Sequence, residues 1–285
     1  MRVTAAVAEG DLGQLETARR DLTEAARLDP RNARVWSAQV DLLLRLGQVA
    51  EARVASERGL ALAPTNLNAM LRRLLVEVAA GDVPAARQVL ARASRDVPRE
   101  AVVAFVAVAF DLGWLLDADE ERLLLTLGAD AFDGDRGQAA IVRAQQYGWR
   151  GDAALARPWG DSAAREFAGQ LRAVPNDPQR HVLRGLALAY AGHGPEALAE
   201  AERGLALLAP TAAGRESPLY SYLTYVAART ALVAGDRGRA LARLAESRQA
   251  HYLASPAWLR VDPTWAPLRQ DPRFVALLTE RSAAH

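Results

Sequence analysis

Lysine and cysteine are both absent from this 285-residue chain. Without cysteine there is no disulfide framework and no thiolate zinc site, a composition compatible with a reducing cytosol. Without lysine no phosphate-binding loop of the G-x-x-x-x-G-K-S/T kind can form. Every one of the 35 basic residues is therefore Arg, against 34 acids, and the two signs are interspersed. Balanced, mixed charge argues against a nucleic-acid or anionic-membrane surface. The four histidines, His181, His193, His251 and His285, include no pair three or four apart, so no helical face offers two metal ligands. A G-x-S-x-G nucleophile elbow is missing as well. The acid run Asp117–Glu121 lacks calcium-loop spacing and suits a helix start. GHGPEA at Gly192–Ala197 fits a degenerate dinucleotide fingerprint but follows a helical stretch, not a strand, so it reads as a turn. These absences leave no catalytic constellation, no metal site and no cofactor to expect. Long apolar runs are lacking too. Ala101–Leu116 is interrupted by Asp111 and falls short of the ~20 residues a membrane span needs. MRVTAAVAEGDLG has no apolar core of signal-peptide length, which makes the cytoplasm the default compartment.

What the chain has is Ala and Leu, within a hydrophobic content of 51%. Both are strong helix formers, and β-branched and aromatic residues never alternate as a half-buried strand requires, so the expected class is all-α. Proline supplies the register. Pro30, Pro64 and Pro98 fall 34 residues apart, each closing a stretch of helical periodicity. Glycines mark a second landmark at Gly13, Gly47, Gly81, Gly151, Gly192 and Gly235, where a left-handed turn can end a helix. Ala18, Ala52, Ala86, Ala197 and Ala240 each lie five positions after such a glycine, where a methyl lets two helices approach closely.

With Trp36 near the start of a first helix, Gly47 at a turn, Ala52 at a crossing and Pro64 at the end, the chain resembles the tetratricopeptide repeat (TPR) family, whose period is 34. The resemblance implies a right-handed superhelical solenoid of about seven helical hairpins over residues 1–254. Their bounds fall near Met1–Pro30, Ala33–Pro64, Leu67–Pro98, Ala101–Phe132, Gly137–Pro175, Pro178–Pro210 and Pro218–Ala250. The unit at 101–132 is degenerate, with Leu115 in place of the turn glycine and Phe132 in place of the closing proline. An insertion of about seven residues is expected near 157–163, where Pro158 and Gly160 are breakers. The hexapeptide ERGLAL occurs at Glu57–Leu62 and again at Glu202–Leu207, 145 positions on. Four periods leave nine residues of that offset, close to the size of the insertion, so the copies are expected at equivalent structural positions.

After Ala250 the pattern changes. His251–Leu278 carries four prolines, two tryptophans and two Asp-Pro steps. The elements WLRVDP, PLRQDPRF and VALL resemble the tail that follows TPR regions in bacterial serine/threonine protein kinases and in adenylate-cyclase-type or winged-helix regulators. That resemblance implies the C-terminal region of a larger signalling protein, with no kinase or cyclase domain in this chain. Residues 255–285 are expected to form a cap and final helix on the hairpin Pro218–Ala250. In that arrangement Trp258, Leu259, Trp265, Leu268, Phe274, Leu277 and Leu278 face inward, and Arg260, Asp262, Arg269, Asp271 and Arg273 stay at the surface or pair with one another.

The TPR resemblance also implies a concave groove lined by first helices. In this register its candidate residues are Arg34, Ser37, Asp41, Leu71, Leu75, Phe105, Ile141, Gln145, Trp149, Val182, Tyr190, Tyr222, Tyr225 and Arg229. The family's carboxylate clamp needs Lys and Asn at such positions. This chain has no Lys and only Asn68 to offer, so recognition of chaperone C-termini is not expected. Three readings remain open: a monomeric protein-binding scaffold with an apolar, Tyr- and Trp-rimmed groove; a regulatory module whose own tail fills that groove; and an unrecognised enzyme. The partner of the first is a protein or peptide, with no nucleic acid and no membrane.

Overall fold

Helix starts in this chain are set by short polar side chains. In the computed structural model, which describes residues 12–208, 218–249 and 254–279, Asn32, Asn66, Asp82, Asp135, Asp152 and Asp177 each accept a backbone N–H of the helix they precede. Such caps satisfy donors that a helix's first turn otherwise leaves open. The helices are α1 (Leu12–Leu28), α2 (Ala33–Arg45), α3 (Val49–Leu62), α4 (Leu67–Ala80), α5 (Val83–Asp96), α6 (Arg99–Val108), α7 (Ala118–Thr126) and α8 (Arg136–Trp149). They continue as α9 (Ala153–Ala173), α10 (Pro178–Ala191), α11 (Gly194–Leu208), α12 (Pro218–Val233), α13 (Arg237–Gln249), α14 (Pro256–Val261) and α15 (Pro272–Thr279). Short 3₁₀ turns lie at Ala109–Leu115, Ala129–Phe132 and Pro263–Leu268. No strand occurs among the described residues.

The helices pair as α2/α3, α4/α5, α8/α9, α10/α11 and α12/α13, and the first members α2, α4, α6, α8, α10 and α12 pack side by side in one row. The architecture is thus an all-α helical-repeat solenoid. Gly47, Gly81, Gly151, Gly192 and Gly235 take positive φ at the turns. Gly13 instead lies inside the first turn of α1, so the opening hairpin has no left-handed turn there, and the helix expected before it lies outside the described residues. Ala18, Ala52, Ala86, Ala197 and Ala240 are all completely buried.

The 145-residue offset is visible atom by atom. Trp36 Nε1 donates to Pro30 O at 2.9 Å, and His181 Nε2 meets Pro175 O at the same 2.9 Å. His181 Nδ1 lies 2.6 Å from Glu200 Oε1, so the histidine fills the tryptophan's place as a buried, doubly engaged side chain. The glycines of the two ERGLAL copies face those helices. A Cβ on Gly204 would come within 2.6 Å of Pro178 O, and one on Gly59 within 3.3 Å of Trp36 Cβ. Glu57 faces Arg73 at 3.5 Å, and Glu202 pairs with Arg243, so the shared glutamates link neighbouring hairpins.

Two irregularities shape the array. The expected insertion is not a loop: α9 runs unbroken through Pro158 and has 21 residues where α10 has 14. The seven extra residues add about two helical turns. Gly160 is a contact, not a breaker, because a Cβ there would lie 2.6 Å from Ala191 N and 2.8 Å from Ala187 O. In the degenerate unit, α6 ends in a kink at which Phe110 and Asp111 both hold positive φ, 53° and 55°. Two successive non-glycine residues in that region are strained. The kink reaches across the array to α12, where Phe110 meets Tyr222 edge-on with centroids 5.7 Å apart.

The tail corrects an expectation. It does not dock only on the last hairpin. Helix α14 lies on α4, Ser255 Oγ donates to Ala79 O at 2.6 Å, and Ala257 packs against Gly81. On the last hairpin, α15 packs against α13. Trp258, Leu259, Trp265, Leu268, Phe274 and Leu277 are buried as expected, but so is Asp262.

Candidate functional site

Helical periodicity puts Tyr222, Tyr225 and Arg229 on one face of α12, since residues three and four apart share a face. Gln145 and Trp149 share a face of α8 for the same reason, and Tyr190 sits near the end of α10. These side chains meet the kink and the tail in one buried polar cluster. Asp111 is its anchor. It accepts from Gln145 Nε2 at 2.9 Å and from Tyr222 OH at 3.3 Å, and its Oδ2 lies 2.7 Å from Arg229 Nη1. Arg229 is only 1% exposed, stands over the Trp149 ring at 5.6 Å and lies beside the Tyr190 hydroxyl. Its nitrogens are close to Asp111 without the alignment of a strict hydrogen bond.

Burial disfavours the Arg229 charge, but Asp111 first, then Tyr190, Asp262 and Tyr225, outweigh that effect and raise its pKa. Burial is also the main cause that raises the Tyr190 phenol, against the pull of Arg229. The cation is thus held permanently, in a setting where an unpaired charge is costly.

The tail completes the cluster. Tyr225 OH donates to Asp262 Oδ2 at 2.8 Å and accepts from Trp265 Nε1 at 3.2 Å. Trp149 Nε1 donates to Thr264 Oγ1 at 2.9 Å. The Trp265 ring meets Tyr225 edge-on at 5.6 Å and stacks with Phe274 at 6.4 Å. Asp262 Oδ1 accepts from Thr264 N at 2.8 Å, capping the 3₁₀ turn that carries Trp265.

The structure separates the sequence candidates into two groups. Gln145, Trp149, Tyr190, Tyr222, Tyr225 and Arg229 converge on the cluster just described. Leu71, Leu75, Ile141 and Val182 are buried core side chains, and Phe105 packs against the same core. Ser37 and Asp41 join hairpins: Arg72 of α4 donates to Ser37 O at 3.2 Å and to Asp41 Oδ2 at 2.7 Å. Burial raises the Asp41 carboxyl even so, against the pull of Arg72. Arg34 is exposed at the start of α2, far along the row from the cluster. Of the tyrosines and tryptophan expected as an open rim, Trp149 and Tyr225 therefore face the chain's own tail, and Tyr222 faces the kink at Phe110 and Asp111.

Sequence reasoning missed Asp111 and Asp262. Asp111 gave a signal, a carboxylate in the middle of an otherwise apolar run. Asp262 gave none, because an Asp-Pro step reads as an exposed turn. Among the described residues no group of three or more His, Cys, Asp or Glu could hold a metal ion. Among them, no helix is long and apolar enough to cross a membrane.

No protein-family model matches the chain, and no curated protein does. Solved structures are similar over most of its length. A tetratricopeptide repeat protein from Parabacteroides merdae is 16% identical, with 88% of this chain and 93% of that one covered and a TM-score of 0.47. The APC/C hetero-tetramer Cut9–Hcn1 is 16% identical, with 97% and 47% covered and a TM-score of 0.46. The TPR2AB-domain:pHSP90 complex of yeast Sti1 is 14% identical, with 97% and 98% covered and a TM-score of 0.30. These are partial superpositions, and the fold rests on the chain's own hairpin geometry.

Proposed function

We propose that this chain is a protein-interaction module that holds a peptide segment against its row of first helices, and that its own tail is the segment held at rest. One observation carries the reading. The tail is bound by side chains of first helices from two separate hairpins, Trp149 of α8 to Thr264 and Tyr225 of α12 to Asp262, as a peptide ligand would be. Such contacts resemble binding hot spots, where tyrosine and tryptophan combine large buried area with a polar handle. This favours the self-filled module over an open groove. A partner competes with the tail, so the apparent affinity is reduced by the fraction of molecules that are open. On this reading the polypeptide works as the docking or sensory part of a signalling protein, without catalysis of its own.

The test uses the full chain. Trp265→Ala removes the tail's largest buried contact and should loosen the tail while the helices persist by circular dichroism. A labelled peptide of the tail sequence Ala254–Thr279 should then bind the variant at least ~10-fold more tightly than wild type, since truncating a hot spot typically costs ~2 kcal/mol or more. Absence of binding to a folded variant would reject the module.

A further inference from the structure

The tail holds one residue whose presence simple capping does not explain. Asp262 is 3% exposed. As N-cap of the 3₁₀ turn Pro263–Leu268 it bonds Thr264 N, a task that Asn or Ser performs as well without bringing a charge into the interior. Around it the row of helices presents donors. Tyr225 OH points at Asp262 Oδ2 from 2.8 Å, and the Arg229 charge acts on the same carboxylate. Arg229 carries five N–H donors, and its nearest anion, Asp111, is already shared with Gln145 and Tyr222. The contact that the row of helices makes to this carboxylate is thus the Tyr225 hydroxyl.

Spacing adds a second requirement. Asp262 is the N-cap of the 3₁₀ turn and Trp265 lies three residues on, inside it. Both land on Tyr225, which donates to one and accepts from the other. The Trp265 ring is completely buried there.

We infer that the station at Tyr225 reads a side-chain carboxylate together with an aromatic ring. The partner that displaces the tail is then a protein segment presenting Asp or Glu three residues ahead of a tryptophan. This deepens the proposed function and rests on the reading of the tail as a bound segment.

The experiment compares three labelled peptides on the full-length Trp265→Ala chain by fluorescence anisotropy: the tail sequence Ala254–Thr279, the same with Asp262→Asn, and the same with Trp265→Ala. Asn keeps the cap and removes the charge. The native peptide is expected to bind, and the Asn peptide to bind ~10-fold or more weakly, the range for a hydrogen bond to a charged group. The peptide lacking the ring should lose at least as much. In a chain also carrying Tyr225→Phe, which keeps the ring and removes the donor, the preference for Asp over Asn should fall to about one. Asn and Asp peptides of equal affinity would overturn the carboxylate reading while leaving the module intact, whereas failure of all three on a folded chain would remove both. If Trp265→Ala does not fold, Ser255→Ala with Thr264→Val cuts two tail hydrogen bonds instead and carries the same comparison.

Discussion

At the scale of single residues, Asp111 does the most unusual work. It occupies a strained backbone position, and it neutralises the fully buried Arg229. Burying an ion pair is costly, but removing one partner is worse, because the other charge remains in place without water. Asp111→Ala is therefore expected to lower stability by ~3–5 kcal/mol. Asp111→Asn should cost distinctly less, because asparagine tolerates positive φ and still accepts from Gln145 and Tyr222. Urea denaturation of both variants tests this, and equal losses would mean that the charge, which both variants remove, matters and the hydrogen bonds do not. The residue scale is also where the sequence was most and least informative. The crossing alanines and the paired Trp36 and His181 follow from a spacing rule that chain connectivity imposes. Asp262 could not follow from any such rule, since its burial depends on a segment folding back across helices that precede it by dozens of residues.

Elements obey the sequence wherever contacts are local and depart from it where helices meet. Pro158 and Gly160 read as a loop because isolated propensity disfavours both inside a helix. In α9 that preference is overridden. The helix has 21 residues, Pro158 falls early in it, and Gly160 lets its backbone press onto α10 beside Ala187 and Ala191. Tertiary contact decides the element, and the cost of a helical glycine, roughly 1 kcal/mol relative to alanine, is accepted for the close approach. Gly160→Ala should accordingly destabilise, although in an isolated helix it would stabilise. A clash with backbone atoms cannot be relieved by a rotamer change, so a loss of ~1–3 kcal/mol is expected. Thermal melting of that variant decides the matter, and a higher melting temperature than wild type would show that α9 and α10 separate easily. The 34-residue period, by contrast, was legible because closing prolines, turn glycines and crossing alanines each recur once per hairpin.

On the scale of the whole molecule, this array departs from the one-dimensional picture of a solenoid, in which each unit touches only its neighbours. The Phe110–Asp111 kink of the fourth hairpin contacts α12 of the seventh. The tail adds ties from Ala79 to Tyr225, passing Trp149 on the way. Long-range links of this kind should merge the array into one cooperative unit, so that local openings at distant hairpins become coupled. Native-state hydrogen exchange gives the measurement. In wild type, the amides of α4 and α12 should open with similar free energies. Trp265→Ala removes contacts that centre on Tyr225 and Phe274, so a strictly nearest-neighbour array would lose protection in α12 and the tail alone. If the tail is a tie, protection must fall in α4 as well, because α14 leaves it when the tail opens. Exchange in α4 that matches wild type would show that the two ends of the tail are released independently, and that a partner could displace the Asp262–Trp265 station while Ser255 stays in place on Ala79.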